Sequence, residues 1–135
     1  MEIELFTLCD FAEDMGNGKM VIVGTFNMIF VKNLPAVHPI CSIAARIRVD
    51  KIDGEKHKFS ISILDFHGSN IVPQLEGQFS AHFPEKTASS GVNIIINIGQ
   101  LKLANEGEHS INLIIDGKLE RSLPFFVRQK SFLSQ

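Results

Sequence analysis

The sequence predicts an all-β fold: a single antiparallel β-sandwich of eight or nine strands, immunoglobulin-like or C2-like, spanning residues 1–135 as one domain. Two observations carry that expectation. Apolar and polar residues alternate with a period of two nearly everywhere, and helical spacing is never sustained for three turns. Glycine-containing turn signals at Gly16-Asn17-Gly18, Asp53-Gly54, His67-Gly68, Ser90-Gly91, Glu106-Gly107 and Asp116-Gly117 separate the alternating runs.

The strands are expected near 2–9, 19–32, 40–50, 57–66, 74–83, 92–98, 100–103, 109–116 and 119–128. The first ends at Cys9, before "DFAEDM" (10–15), which reads as a loop or a single helical turn. The second, "KMVIVGTFNMIFVKN", is apolar on both faces: Met20, Ile22, Phe26, Met28 and Phe30 on one, Val21, Val23, Ile29 and Val31 on the other. Only one face of a sandwich strand meets the core. A loop, a terminal segment or another protein molecule must cover the second. Val21, Val23, Ile29 and Val31 are therefore a candidate interface.

The next strands divide cleanly. Cys41, Ile43, Ala45, Ile47 and Val49 face in, against Ser42, Ala44, Arg46 and Arg48. Phe59, Ile61 and Ile63 face in, as do Leu75, Phe79, Ala81 and Phe83. In the last hairpin, Asp116-Gly117 signals a two-residue turn, which would pair Leu113 with Glu120. A three-residue loop would instead pair Ile115 with Leu119, Ile111 with Leu123 and His109 with Phe125. That makes one face mostly apolar, and burial sets register more strongly than turn preference.

Composition narrows the function. A net charge of −2 is too acidic for a surface that tracks a phosphate backbone, so no nucleic-acid partner is expected. No run approaches 18 apolar residues, so no membrane span is expected. Glu2 and Glu4 interrupt any secretory leader, and the expected compartment is the cytoplasm, with Cys9 and Cys41 as reduced, buried thiols. The chain has no Trp and no Tyr, which argues against a lectin-like platform.

Chemistry-bearing motifs are sparse. There is no nucleophile elbow, zinc-protease helix, P-loop or dinucleotide fingerprint. The five histidines are scattered singly, so neither metal nor other cofactor is expected. Acids at Asp10, Glu13 and Asp14, and at Asp50, Asp53 and Glu55, lack the D-x-D spacing of calcium loops and read as solvated turn residues.

"CDFAEDMGNGKMVIVGTFNMIF" followed by "LPAVHP" resembles a bacterial family known only as a domain of unknown function. The resemblance lies in Cys9, Asp10, Phe11, Ala12, Gly18, Lys19, Ile22, Gly24, Phe26, Pro35, Ala36, His38 and Pro39, and extends to "GEHSINLIIDGKLERSLPFFV". It implies a small β-sandwich and supplies no activity. It directs attention to Asp10, Pro35, His38 and Pro39. Asp10 has a structural reading as a turn cap. His38 has one as a loop residue held extended before Pro39.

The function the sequence predicts is a non-enzymatic protein-interaction or structural module, with a protein partner or a second copy of the chain meeting the spare apolar face. The alternative is a small-ligand or cation-binding sandwich that uses loops 10–19, 33–39 and 50–56.

Overall fold

A computed structural model describes residues 1–130. Nine strands follow in chain order: β1 (Glu2–Gly16), β2 (Lys19–Thr25), β3 (Met28–Val31), β4 (Ala36–Asp50), β5 (Lys56–Leu64), β6 (Leu75–Ser80), β7 (Ser89–Leu103), β8 (Gly107–Ile115) and β9 (Lys118–Gln129). The only helical element among the described residues is one 3-10 turn at Lys51–Asp53. No helix among the described residues is long and apolar enough to cross a membrane.

The strands form two sheets, ordered β2-β1-β4-β7 and β3-β9-β8-β5-β6. The second sheet curls into half a barrel instead of lying flat against the first. Side chains from both sheets meet in one core, including Ile43, Ile47, Ile61, Leu103, Leu113 and Phe125. All pairings are antiparallel except β3 with β9, which is parallel. The expectation of a wholly antiparallel arrangement is corrected there.

The apolar run 19–32 is two strands, not one. Gly24 takes a left-handed φ of +68°, and Phe26 donates its amide to Leu8 O at 3.0 Å. One residue later Asn27 O accepts the amide of Phe126 at 2.8 Å. The chain thus crosses from the first sheet to the second between Phe26 and Asn27. The inward parity changes between the two strands: Met20 and Ile22 pack beneath the hairpin in β2, whereas Ile29 and Val31 face the core in β3. Ile29 and Val31 are buried in the core, Val21 is half-buried and Val23 is 52% exposed. The proposed interface of Val21, Val23, Ile29 and Val31 is therefore not one surface.

β1 runs through "DFAEDM", correcting the loop or helical turn expected there. Its first half pairs with β4, from Glu2↔Arg48 to Cys9↔Ser42. Its second half pairs with β2, from Cys9↔Thr25 to Gly16↔Lys19. The hairpin is consequently free to bend back over the outer face of the first sheet. At its tip Gly18 O accepts Arg46 Nη1 at 2.8 Å and Asn93 Nδ2 at 3.3 Å. Ala12, Met20 and Ile22 pack with Cys9, Ala44 and Ile95 beneath it. This explains why Ser42 and Ala44, expected to face water, are buried. Glu2 and Glu4 pair with Arg48 and Arg46 at the same face.

β4 and β7 share a reversal. Cys41, Ile43 and Ala45 point into the core with Ile98 and Ile94, whereas Leu101, Leu103 and Ala36 meet the core from the opposite parity. The switch falls where Gln100 takes φ +55° and Pro39 has no amide to offer the ladder. His38, across from Leu101, is thereby turned inward.

The β8–β9 hairpin joins both sequence readings. Asp116 and Gly117 form a two-residue turn, both at positive φ, as the Asp-Gly signal requires. Ile115 pairs with Lys118 rather than with Leu119. A shift between Leu113 and Ile114 then restores His109↔Phe125 and Ile111↔Leu123, the apolar register.

Candidate functional site

The structure separates the residues that the sequence singled out. Asp10 is exposed on the β1–β2 hairpin, its carboxylate packed over Gly24. His38 is half-buried, its ring 5.7 Å from that of Phe26, and Nε2 has no hydrogen-bond partner among the described residues. Pro35 follows a cis peptide bond from Leu34, and Pro39 marks the β4 reversal. Asp10 and His38 share no hydrogen bond.

The three-loop site is also corrected. Residues 10–16 and 19 lie in strands. Segments 33–39 and 50–56 flank opposite ends of the 15-residue β4. At about 3.3 Å per residue they are tens of ångströms apart. No group of three or more His, Cys, Asp or Glu side chains among the described residues could hold a metal ion.

A cleft does open where β4 begins and β5 and β7 end. Its volume is about 560 Å³, and its lining is mostly apolar, with Ala36, Ile71, Leu103 and Ala104 contributing. Strands of both sheets wall it. The β5–β6 connection is held in shape by Asp65, whose Oδ1 accepts the amides of His67 and Ser69, each at 2.9 Å. Gly68 supplies the positive φ in that turn, and Ile71 returns to Ile63 O at 2.9 Å. Those amide bonds, Ser69 foremost, hold the Asp65 carboxyl below its ordinary pKa, so it is ionised at neutral pH.

His109 enters the cleft from β8, against Phe125 at 5.0 Å. Its Nδ1 lies 3.0 Å from Gly107 O. A carbonyl only accepts, so Nδ1 carries the proton and, in the neutral ring, Nε2 is an acceptor. Asp65 Oδ2 and His109 Nε2 have no protein hydrogen-bond partner among the described residues. A second concavity of about 570 Å³ lies on the outer side of the second sheet, lined mainly by polar side chains such as Lys58, Glu76 and Gln78. A cleft with an apolar floor and a few convergent polar atoms is the stronger ligand site.

A different charged group sits at the far end. His57 is 5% exposed, with Nδ1 2.6 Å from Asp116 Oδ2 and Nε2 2.9 Å from Gly54 O. Burial pulls its pKa down, but the bonds to Asp116 and Gly54 outweigh that, and the pKa lies above its ordinary value. Asp116 lies below its own ordinary value because it accepts from His57 and from the Lys58 amide. Both ring nitrogens face acceptors, so the ring has no free lone pair for proton abstraction. The pair is a clamp on the turn. Its signal was present in the alternation, since His57 shares the inward parity of Phe59, Ile61 and Ile63.

Cys9 and Cys41 are free and buried. Burial pushes the Cys41 thiol up to about 11 and also raises Cys9, so neither presents a thiolate at neutral pH.

The family described as a family of unknown function (DUF6941) matches residues 4–128. The chain belongs to that family. DUF6941 membership brings no activity with it. No curated protein matches this DUF6941 chain. A solved structure similar to it is the alkylpurine DNA glycosylase AlkC of Pseudomonas fluorescens, bound to DNA containing an abasic site analog. The similarity has a TM-score of 0.48 at 10% identity and covers 94% of this chain but 30% of that one. A likeness this distant carries no argument about function. The sequence expectation had nonetheless excluded nucleic acid and favoured a protein-interaction module. The comparisons lend that exclusion no support, and it is withdrawn. The module reading is withdrawn with it, and its structural premise, one strand apolar on both faces, is absent.

Proposed function

We propose that the protein binds a small organic molecule in the cleft between the β4 entrance, the β5–β6 connection and the end of β7. The observation that carries this reading is the pairing of an apolar floor with two unpartnered acceptors, Asp65 Oδ2 and His109 Nε2. A volume of about 560 Å³ suits a small ligand. The reading treats the two sheets as a sandwich, of the immunoglobulin-like or C2-like kind, that is open at one end. The cleft uses the start of β4, including Pro35, and neither of the loops around 10–19 and 50–56.

The test uses N-phenyl-1-naphthylamine, a neutral probe that brightens in apolar surroundings. Its fluorescence should rise with the native protein and fall to background with Ala36→Trp, whose indole fills the floor. The melting temperature of the variant establishes that it is folded. If the folded variant keeps the full signal, the probe sits elsewhere and the reading fails.

A further inference from the structure

We propose that the cleft selects a ligand whose polar end is a primary ammonium group, seated at Asp65 and His109, with its hydrocarbon part on Ala36, Ile71 and Leu103. This inference rests on the cleft being a binding site.

Two features of the lining point to that class. First, Asp65 places both of its backbone bonds on one oxygen. Oδ1 serves His67 and Ser69, which leaves Oδ2 without a donor among the described residues. The turn therefore needs only half of the carboxylate. Second, His109 spends its one neutral-ring proton on Gly107 O. Its other nitrogen is left as an acceptor in a ring that is 1% exposed. The ring lines the cleft, so a ligand with donors to offer can meet that acceptor.

An ammonium group presents three donors and a charge opposite to that of Asp65. A hydroxyl presents one donor and no charge. A carboxylate presents no donor and would face the Asp65 charge directly. Lys102 also lines the cleft and could attract an anion. It is exposed, however, so solvent screens it more strongly than it screens the half-buried Asp65. The ammonium is favoured on both charge and donor count.

The probes are n-octylammonium, n-octanol, octanoate and octyltrimethylammonium, each titrated below its aggregation limit and followed through the amide NMR spectrum. The expected result is that n-octylammonium shifts the amides of residues 35–37, 65–71 and 102–109. It should bind roughly tenfold or more tightly than octanol or octanoate, as a charge-assisted hydrogen bond implies. Octyltrimethylammonium keeps the charge and loses the donors, so it should bind more weakly than the primary amine.

Asp65→Asn keeps an acceptor at Oδ1 for the turn and replaces Oδ2 with an amide group. It should erase the preference for the amine over octanol. Equal or tighter binding of octanol, octanoate or the trimethylated amine at the same amides would overturn the ammonium assignment while leaving the cleft as a site. Shifts confined to other residues, or none with any probe, would overturn the cleft itself. The wild-type comparison among the four probes decides the question even if the variant does not fold.

Discussion

A Cβ built on Gly24 would lie 2.5 Å from Oδ2 of Asp10, so the two residues occupy one space across the β1–β2 hairpin. Gly24 also takes a φ of +68°, which L side chains adopt only with strain. The Asp in "CDFA" and the Gly in "IVGTF" are thus a single structural feature: the glycine makes room for the carboxylate just before the chain leaves the first sheet.

Gly24→Ala should destabilise the protein by about 1–3 kcal/mol, from backbone strain and the clash together. In an Asp10→Ala background the same change should be milder, because only the strain remains. Urea unfolding of the four proteins measures the coupling. Strict additivity would show that the two residues do not share that space.

The His57–Asp116 clamp has a defined pH window. The raised His57 pKa contributes stability that is fully present below its unfolded value of 6.5 and is lost as pH rises through the higher folded value. The lowered Asp116 pKa contributes stability that is present above 3.8 and is lost as pH falls through the lower folded value. Asp116→Asn should therefore lose most stability relative to native near pH 5, and less near pH 9. The His57 midpoint, followed by NMR of the ring proton, should drop in that variant, since burial is then opposed only by Gly54 and Asp53. A midpoint equal to that of the native protein would show that Asp116 is not what raises it.

Arg46→Ala should loosen the hairpin locally. It removes the bond to Gly18 O and another to Asn93 Oδ1, each 2.8 Å, and loss of such bonds costs about 1 kcal/mol. Hydrogen exchange should accelerate in residues 10–25 and stay slow in the β1–β4 ladder from 2 to 9. Uniform acceleration across both halves would mean that β1 opens as one unit.

His38→Phe should be neutral or mildly stabilising, within about 1 kcal/mol, because it keeps the ring contact with Phe26 and removes a buried nitrogen that lacks a partner. Thermal unfolding gives the sign. A loss of several degrees would show that Nε2 is satisfied in solution.

The alternating strands were legible because inward residues such as Ile43, Ile61 and Ile111 repeat without interruption. The body of the β8–β9 register followed from burial of His109 opposite Phe125. The bulge at Leu113/Ile114 did not, since it arises from a conflict between turn chemistry and core register that sequence states only as two competing answers. The break in the run 19–32 is hidden for a related reason. Alternation cannot tell one strand with two apolar faces from two strands in different sheets, and the break falls at Phe26-Asn27, where no proline or paired glycine marks it. The cleft was only partly visible. Pro35 stands out in the sequence, whereas Asp65 and His109 stand 44 positions apart in the chain (65 to 109) and meet through sheet order alone.

The parallel pairing of β3 with β9 joins Met28 to Phe126, 98 positions later (28 to 126). Ile29 and Val31 leave the ribosome 98 residues before their ladder partners Val127 and Gln129. The second sheet cannot acquire this edge until residues 126–129 have left the ribosome. Closing so distant a contact is slow, and the docking of this short apolar strand should come late, after the strands it joins have paired.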